Sequence, residues 1–129
     1  MQTYQYQLLV KSDDIDALEH VNNVRYVQWV QDAAEAHWNE VATQALKEGY
    51  IWMVLRHDIQ YKGQAFEGDA LLINTYVTKS EGVTSTRVVE ISREDNNKLL
   101  VKATTQWCLL NKDTKRPTRL TPELIELFD

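Results

Sequence analysis

One long helical pattern, followed by four strand-like stretches, limits this chain more than any other feature. Val24, Val27, Val30, Ala34, Trp38, Val41 and Ala45 recur at steps of three and four residues. That spacing lines side chains along one helical face. Arg25, Gln28, Asp32, Glu35, Asn39 and Lys47 fall on the opposite face. The pattern predicts a single helix running toward Gly49, a residue suited to the left-handed position that closes a helix.

Strand signals occupy most of the remaining chain. TYQYQLLV (3–10) is rich in aromatic and branched side chains and reads as a first strand. The later candidates are 51–63, 70–78, 83–93 and 98–111, with Leu71, Ile73, Thr75 and Val77 sharing one face of the second of these. SEG (80–82) and EDNN (94–97) supply turns, and tight turns between long strands predict an antiparallel meander. Pro117 lies in a loop, and TPELIELF begins with a Thr cap and a proline suited to the first helical position, predicting a short terminal helix. One helix and one sheet can bury each other, so the expectation is a two-layer α+β fold. With 129 residues, positions 1–129 form one domain with a sizeable core. Trp29, Trp52, Trp107, Tyr61 and Tyr76 are large enough to help a ligand or a second subunit bury what one helix leaves uncovered.

Composition narrows the function. The net charge is −5 and the basic residues are scattered, which argues against a nucleic-acid duplex or an anionic membrane as partner. No apolar run approaches the ~20 residues of a membrane helix. MQTYQYQLLVKSDD lacks the basic start and apolar stretch of a signal peptide, so a cytoplasmic protein is expected. Cys108 is the only cysteine and sits in a strand-like stretch, where a buried structural thiol is expected. His20, His37 and His57 lack tight metal-ligand spacing.

The densest polar segment, SDDIDALEHVNN, directly precedes the helix. Asp and Asn are common in loops because they satisfy nearby backbone groups, and by composition alone the segment reads as a capped loop. Either Asn22 or Asn23 stands where an N-cap belongs. The helix beyond starts with unpaired N–H groups and partial positive charge, a combination able to hold a carbonyl oxygen that gains negative charge in acyl transfer. Asp13, Asp14 and Asp16 offer carboxylates for a general base or nucleophile, and His20 could orient one of them or a water.

The pattern D-x-D-x-x-x-H-V-N-N-x-x-Y, here Asp14, Asp16, His20, Val21, Asn22, Asn23 and Tyr26, resembles the signature of hot-dog-fold acyl thioesterases. The likeness is to the 4-hydroxybenzoyl-CoA thioesterase branch and the related acyl-ACP thioesterases, and it extends over nearly the whole chain. IQYKGQAFEGDALLI resembles that family's strand pair around a Gly-Asp turn. The resemblance implies a single hot-dog domain, a curved antiparallel sheet wrapped around one long central helix. It makes Asp16 the catalytic carboxylate, places the polarising backbone N–H at Asn23, and leaves His20 and Asn22 to order the loop or position substrate. Tyr26 falls at core or interface rather than at the chemistry, and Tyr26 and Tyr61 are the aromatic candidates beside a bound substrate. The departure from the pattern is Leu18-Glu19, where relatives often carry Gly or Asn.

The implied substrate is a small-molecule acyl thioester, on CoA or on acyl carrier protein, hydrolysed without metal or prosthetic group. Arg56, Lys62, Lys79 and Arg87 are the available surface cations for CoA phosphates. Hot-dog active sites lie between subunits, which implies a homodimer or homotetramer. Two other readings remain: a hot-dog hydratase or dehydratase pairing His20 with an acid, and a non-catalytic acyl-thioester binding module.

Overall fold

The computed structural model describes residues 2–129. In chain order it comprises β1 (Thr3–Leu9), a 3-10 turn (Ser12–Asp14), α1 (Asn23–Val41), α2 (Gln44–Gly49), β2 (Tyr50–Tyr61), β3 (Ala70–Glu81), β4 (Thr84–Arg93), β5 (Leu99–Asn111) and α3 (Pro122–Glu126). The five strands form one antiparallel sheet in the order β1-β3-β4-β5-β2. The expected meander holds for β3, β4 and β5. Strand β2 lies at the far edge beside β5, so the 62–69 connection crosses from one side of the sheet to β3. Register shifts at Val54/Arg56, Val77/Lys79 and Ile91/Ser92 are bulges that bend their strands. This is the α+β hot-dog arrangement, a bent antiparallel sheet on a long helix.

The helical stretch is interrupted. Ala42 adopts extended angles, and the Thr43 side chain accepts from Leu46 N–H to start α2. Threonine offers its hydroxyl to the backbone as an alternative to continuing the turn, an option the apolar repeat does not reveal. Gly49 ends α2 without a positive φ, because the chain passes directly into β2 rather than through a left-handed cap.

The buried face of α1 is only partly the expected one. Tyr26, Trp29, Val30, Ala33, Ala34 and His37 are buried, whereas Val24 is 73% exposed and Ala45 lies on the surface. Two apolar stripes overlap on this helix, and covering Tyr26 and Trp29 removes more apolar area from water than covering Val24 and Val27. Against this face pack Leu71, Ile73, Val89, Ile91, Val101 and Ala103 from the three central strands. A second cluster, centred on Leu46, Leu109, Leu120 and Leu124, seats α2 and α3 at the opposite end. Thr121 caps α3 through Leu124 N–H with Pro122 at its start, as the sequence suggests. Cys108 is buried.

The helix–sheet layer is not wholly apolar. Arg87 is only 5% exposed, so it is no surface cation for CoA phosphates. Its Nη1 donates to His37 Nδ1 at 2.9 Å and to Thr75 Oγ1 at 3.0 Å. A guanidinium can only donate, so His37 Nδ1 must be the acceptor and the ring is neutral. Burial, reinforced by the neighbouring Arg87 charge, pushes the His37 pKa down to about 4.

That depressed value has a defined sign. Between about pH 4 and the ordinary histidine value the unfolded chain binds a proton that the folded chain refuses, so stability falls as pH falls through this window. At ~1.4 kcal/mol per pKa unit the loss over the whole window is on the order of 3 kcal/mol. Urea unfolding of wild type and His37→Gln at pH 7.5 and pH 4.5 is expected to show a smaller acid-induced loss in the variant. Equal losses would mean that His37 is not the group responsible.

Candidate active site

The polar segment folds as two small turns that deliver the chain to α1. In the first, Asp14 Oδ2 accepts from Lys11 N–H at 2.9 Å, and Asp14 Oδ1 lies 3.0 Å from Arg25 Nε on the first turn of α1. Asn22 N–H donates to Asp14 O at 3.0 Å. Asp14 is therefore consumed in tying the loop to the helix. In the second turn, Asp16 N–H donates to His20 O and Glu19 N–H to Asp16 O, both at 3.0 Å, while Ile15 and Val21 bridge its base.

This turn brings Asp16 and His20 together. Asp16 Oδ1 accepts from Leu18 N–H at 2.9 Å and lies 3.8 Å from His20 Nδ1, beyond hydrogen-bond reach. His20 Nδ1 is buried and has no hydrogen-bond partner. A small closure would pair the two. Both side chains are about one-quarter exposed, at 27% for Asp16 and 24% for His20, so each is reachable from solvent.

Glu19 sits at the corner with φ +66°, the left-handed region in which a Cβ is unfavourable. Relatives' Gly or Asn would suit this angle. Glu19 is exposed, so nothing is lost on truncation, and Glu19→Gly is expected to leave stability unchanged or raise it by about 1 kcal/mol. A clear drop in the thermal midpoint would contradict this reading of the corner.

At the helix start, Asn22 rather than Asn23 is the N-cap: its Oδ1 accepts from Val24 N–H at 3.0 Å. Arg25 N–H donates to Asn22 O at 2.8 Å. Among the described residues this leaves Asn23 N–H as the first amide of α1 without an acceptor, at the positive end of a 19-residue helix. No side-chain hydrogen bond joins Asp16 to Asn23 among the described residues. Leu18 and Val24, each 73% exposed, add apolar surface on either side of the segment.

Tyr26 is fully buried, and its hydroxyl accepts from Ala65 N–H at 3.1 Å. Val21 N–H in turn donates to Ala65 O at 2.9 Å. The crossing 62–69 connection is thereby clamped onto the loop and the helix start by both polar groups of one residue. Tyr26 consequently holds the site rather than facing a ligand. Tyr61 is 44% exposed, with its ring 5.9 Å from that of Tyr26, and remains available at the surface. Asp32 and Glu35 lie on the exposed side of α1, Asp32 bonded to Gln28 at 2.8 Å. No cluster of three His, Cys, Asp or Glu side chains able to hold a metal occurs among the described residues, and no helix among them is long and apolar enough to cross a membrane.

The model of the acyl-ACP thioesterase N-terminal domain matches residues 1–128. The chain belongs to the acyl-ACP thioesterase family. Within reach of this thioesterase is the long-chain acyl-CoA thioesterase FadM of Escherichia coli (strain K12), 24% identical over 97% of this chain and 96% of the relative. A 4-hydroxybenzoyl-CoA thioesterase variant solved with 4-hydroxybenzoyl-CoA superposes at a TM-score of 0.90 over the whole of both chains, at 16% identity. A 1,4-dihydroxy-2-naphthoyl-CoA thioesterase from Synechocystis superposes at 0.84, with 20% identity over 98% of this chain and 96% of the other. Both structures share the hot-dog fold.

A second polar group escaped the sequence reading. His57 on β2 contacts Thr105 Oγ1 through Nδ1 at 2.7 Å and Gln31 of α1 through Nε2 at 3.3 Å. Together with His37, Arg87 and Thr75 it threads a polar seam through the helix–sheet layer. Strand parity could have found Arg87, since it alternates inward with Val89 and Ile91.

The capping assignment separates two neighbouring asparagines. Asn22→Ala is expected to cost ~1 kcal/mol through the lost cap, while Asn23→Ala, whose side chain makes no such bond, is expected to cost little. Urea midpoints for the two variants decide between them, and a larger loss for Asn23→Ala would refute the assignment.

Proposed function

We propose that this thioesterase hydrolyses acyl-CoA, with Asp16 as general base or nucleophile and the Asn23 N–H polarising the thioester carbonyl. The reading is carried by the accessible Asp16–His20 pair held just upstream of an unpaired helix-start amide, in a chain of this family. In one route Asp16 takes a proton from water as the water oxygen attacks the carbonyl. In the other, the carboxylate attacks first and water then cleaves the mixed anhydride. Either way the C–S bond breaks, the thiol leaves with a proton and the acid is released. The negative charge that gathers on the carbonyl oxygen meets the amide and the helix terminus. His20, once paired with Asp16, orients the carboxylate. This chemistry needs neither metal nor prosthetic group.

Acyl-CoA rather than carrier-protein thioesters is favoured by the activity of the E. coli relative and by the CoA ester in the superposed thioesterase. We also infer at least a homodimer. The outer edge of β2 has no strand partner among the described residues, and it exposes Met53, Leu55 and Tyr61, an apolar edge that a second copy could cover.

Asp16→Asn keeps size and most hydrogen bonding but removes base and nucleophile together. Turnover of acyl-CoA, followed by thiol release, is expected to fall ~100-fold or more, with acyl-CoA binding retained. Asp13→Asn is the matched control, because the Asp13 side chain is exposed and makes no hydrogen bond among the described residues, and it should lower turnover little. Wild-type rates in Asp16→Asn would overturn the assignment and return the segment to a capped loop.

A further inference from the structure

A well-formed cleft lies away from the loop. It holds about 470 Å³, in the size range of small-ligand pockets. It opens between the second half of α1 and strands β2, β4 and β5, with Trp38, Trp52, Trp107 and Phe128 among its walls and Arg87 in its lining. Gln31, the α1 lining residue nearest the helix start, lies eight residues from Asn23, or about 12 Å at the helical rise, and no residue of the 11–23 segment lines the cleft. The cleft and the Asp16 loop are therefore separate sites on one chain.

Its charge is unusual for an acidic protein. Arg87 is nine-tenths buried or more, yet among the described residues no carboxylate comes within 4.0 Å of it. A buried cation is ordinarily paired. Both of its side-chain hydrogen bonds leave from Nη1 and end on neutral acceptors, so Nε and Nη2 keep donors without an acceptor. Its guanidinium carbon lies 5.2 Å from the centre of the Phe128 ring, a contact that supports the charge without neutralising it. Burial lowers the Arg87 pKa to about 10, which leaves it charged near neutral pH. Trp107 adds a buried indole N–H with no acceptor. Lys47 and Lys112 line the same cleft, and their ammonium groups bond backbone carbonyls rather than acids. Glu35 is the one carboxylate in the lining. The cleft thus presents donors, positive charge and flat apolar walls, against a single carboxylate.

We propose that this cleft binds an organic carboxylate with a flat apolar body, its oxygens on the free Arg87 donors and its body among the indole rings. A planar guanidinium matches two carboxylate oxygens at once, and aromatic walls suit a ring or a short aryl-bearing chain. The ligand class is an arylalkanoic acid in its ionised form. Carboxylic acids are also what thioester hydrolysis releases, but the site stands on its own lining and does not depend on the role of Asp16.

The test is calorimetric titration of the full-length protein with 4-phenylbutyrate and with its uncharged counterpart 4-phenylbutyramide. Saturable binding of the acid, at least tenfold tighter than the amide, is expected in wild type and in Asp16→Asn alike. Arg87→Met is expected to lose tenfold or more of the acid affinity while leaving the amide unchanged. Equal binding of acid and amide to wild type, or no saturable heat with either, would overturn the proposal without any variant having to fold. Loss of acid binding in Asp16→Asn would also overturn it, by placing the ligand at the loop. Failure of thioester hydrolysis in wild type would bear on Asp16 alone.

Discussion

Ala65 N–H and C=O are the point on which the candidate site depends. The residue lies on the connection that must carry the chain from the β2 edge, across the sheet, to β3. It is fully buried, and burying an unpaired peptide group costs about as much as a lost hydrogen bond or more. Tyr26 on α1 and Val21 on the loop satisfy the two groups, one each. Because those partners flank Asn22 and Asn23, the clamp fixes the start of α1 relative to the loop that holds Asp16. A helix terminus can stabilise charge in a reaction only if its direction is set beforehand, and here the crossing connection sets it.

The two ends of the helix differ because the layer beneath it is mixed. Around Tyr26 and Trp29 the packing is apolar and tight, which suits a rigid helix start. Further along, His37, Arg87, Thr75, Gln31, His57 and Thr105 replace hydrocarbon with hydrogen-bonded groups. The buried part of this network, His37, Thr75, Arg87 and Thr105, is costly when incomplete. Arg87 has neutral acceptors for one nitrogen only, so the layer tolerates a cation that a core would otherwise exclude. The cleft beside it gives the unused donors somewhere to point.

Strain and capping at the loop show how a family pattern survives substitution. Glu19 carries a backbone angle that a side chain disfavours, held by hydrogen bonds on both sides of the corner and by the Ile15–Val21 bridge. Backbone pairing decides the turn, and the residue type at its corner adjusts only its cost. The turn therefore forms with Leu18-Glu19 at its corner.

Much was legible in the sequence alone. The order of strands and helices, the caps at Thr121 and at the start of α1, and the clustering of Asp14, Asp16, His20, Asn22 and Asn23 are local properties. They follow from propensities, periodicity and hydrogen bonds spanning a few residues, and the spacing of that cluster was enough to point to the family. The structure alone decided which of two overlapping stripes α1 buries, because that choice depends on the sheet it meets rather than on the helix. It alone placed β2 beside β5, since strand order is set by contacts between residues dozens of positions apart. It alone turned Arg87 from a presumed surface cation into a buried one. Alternation shows which side of a strand a residue faces, but only the packed helix determines whether that side is water or core.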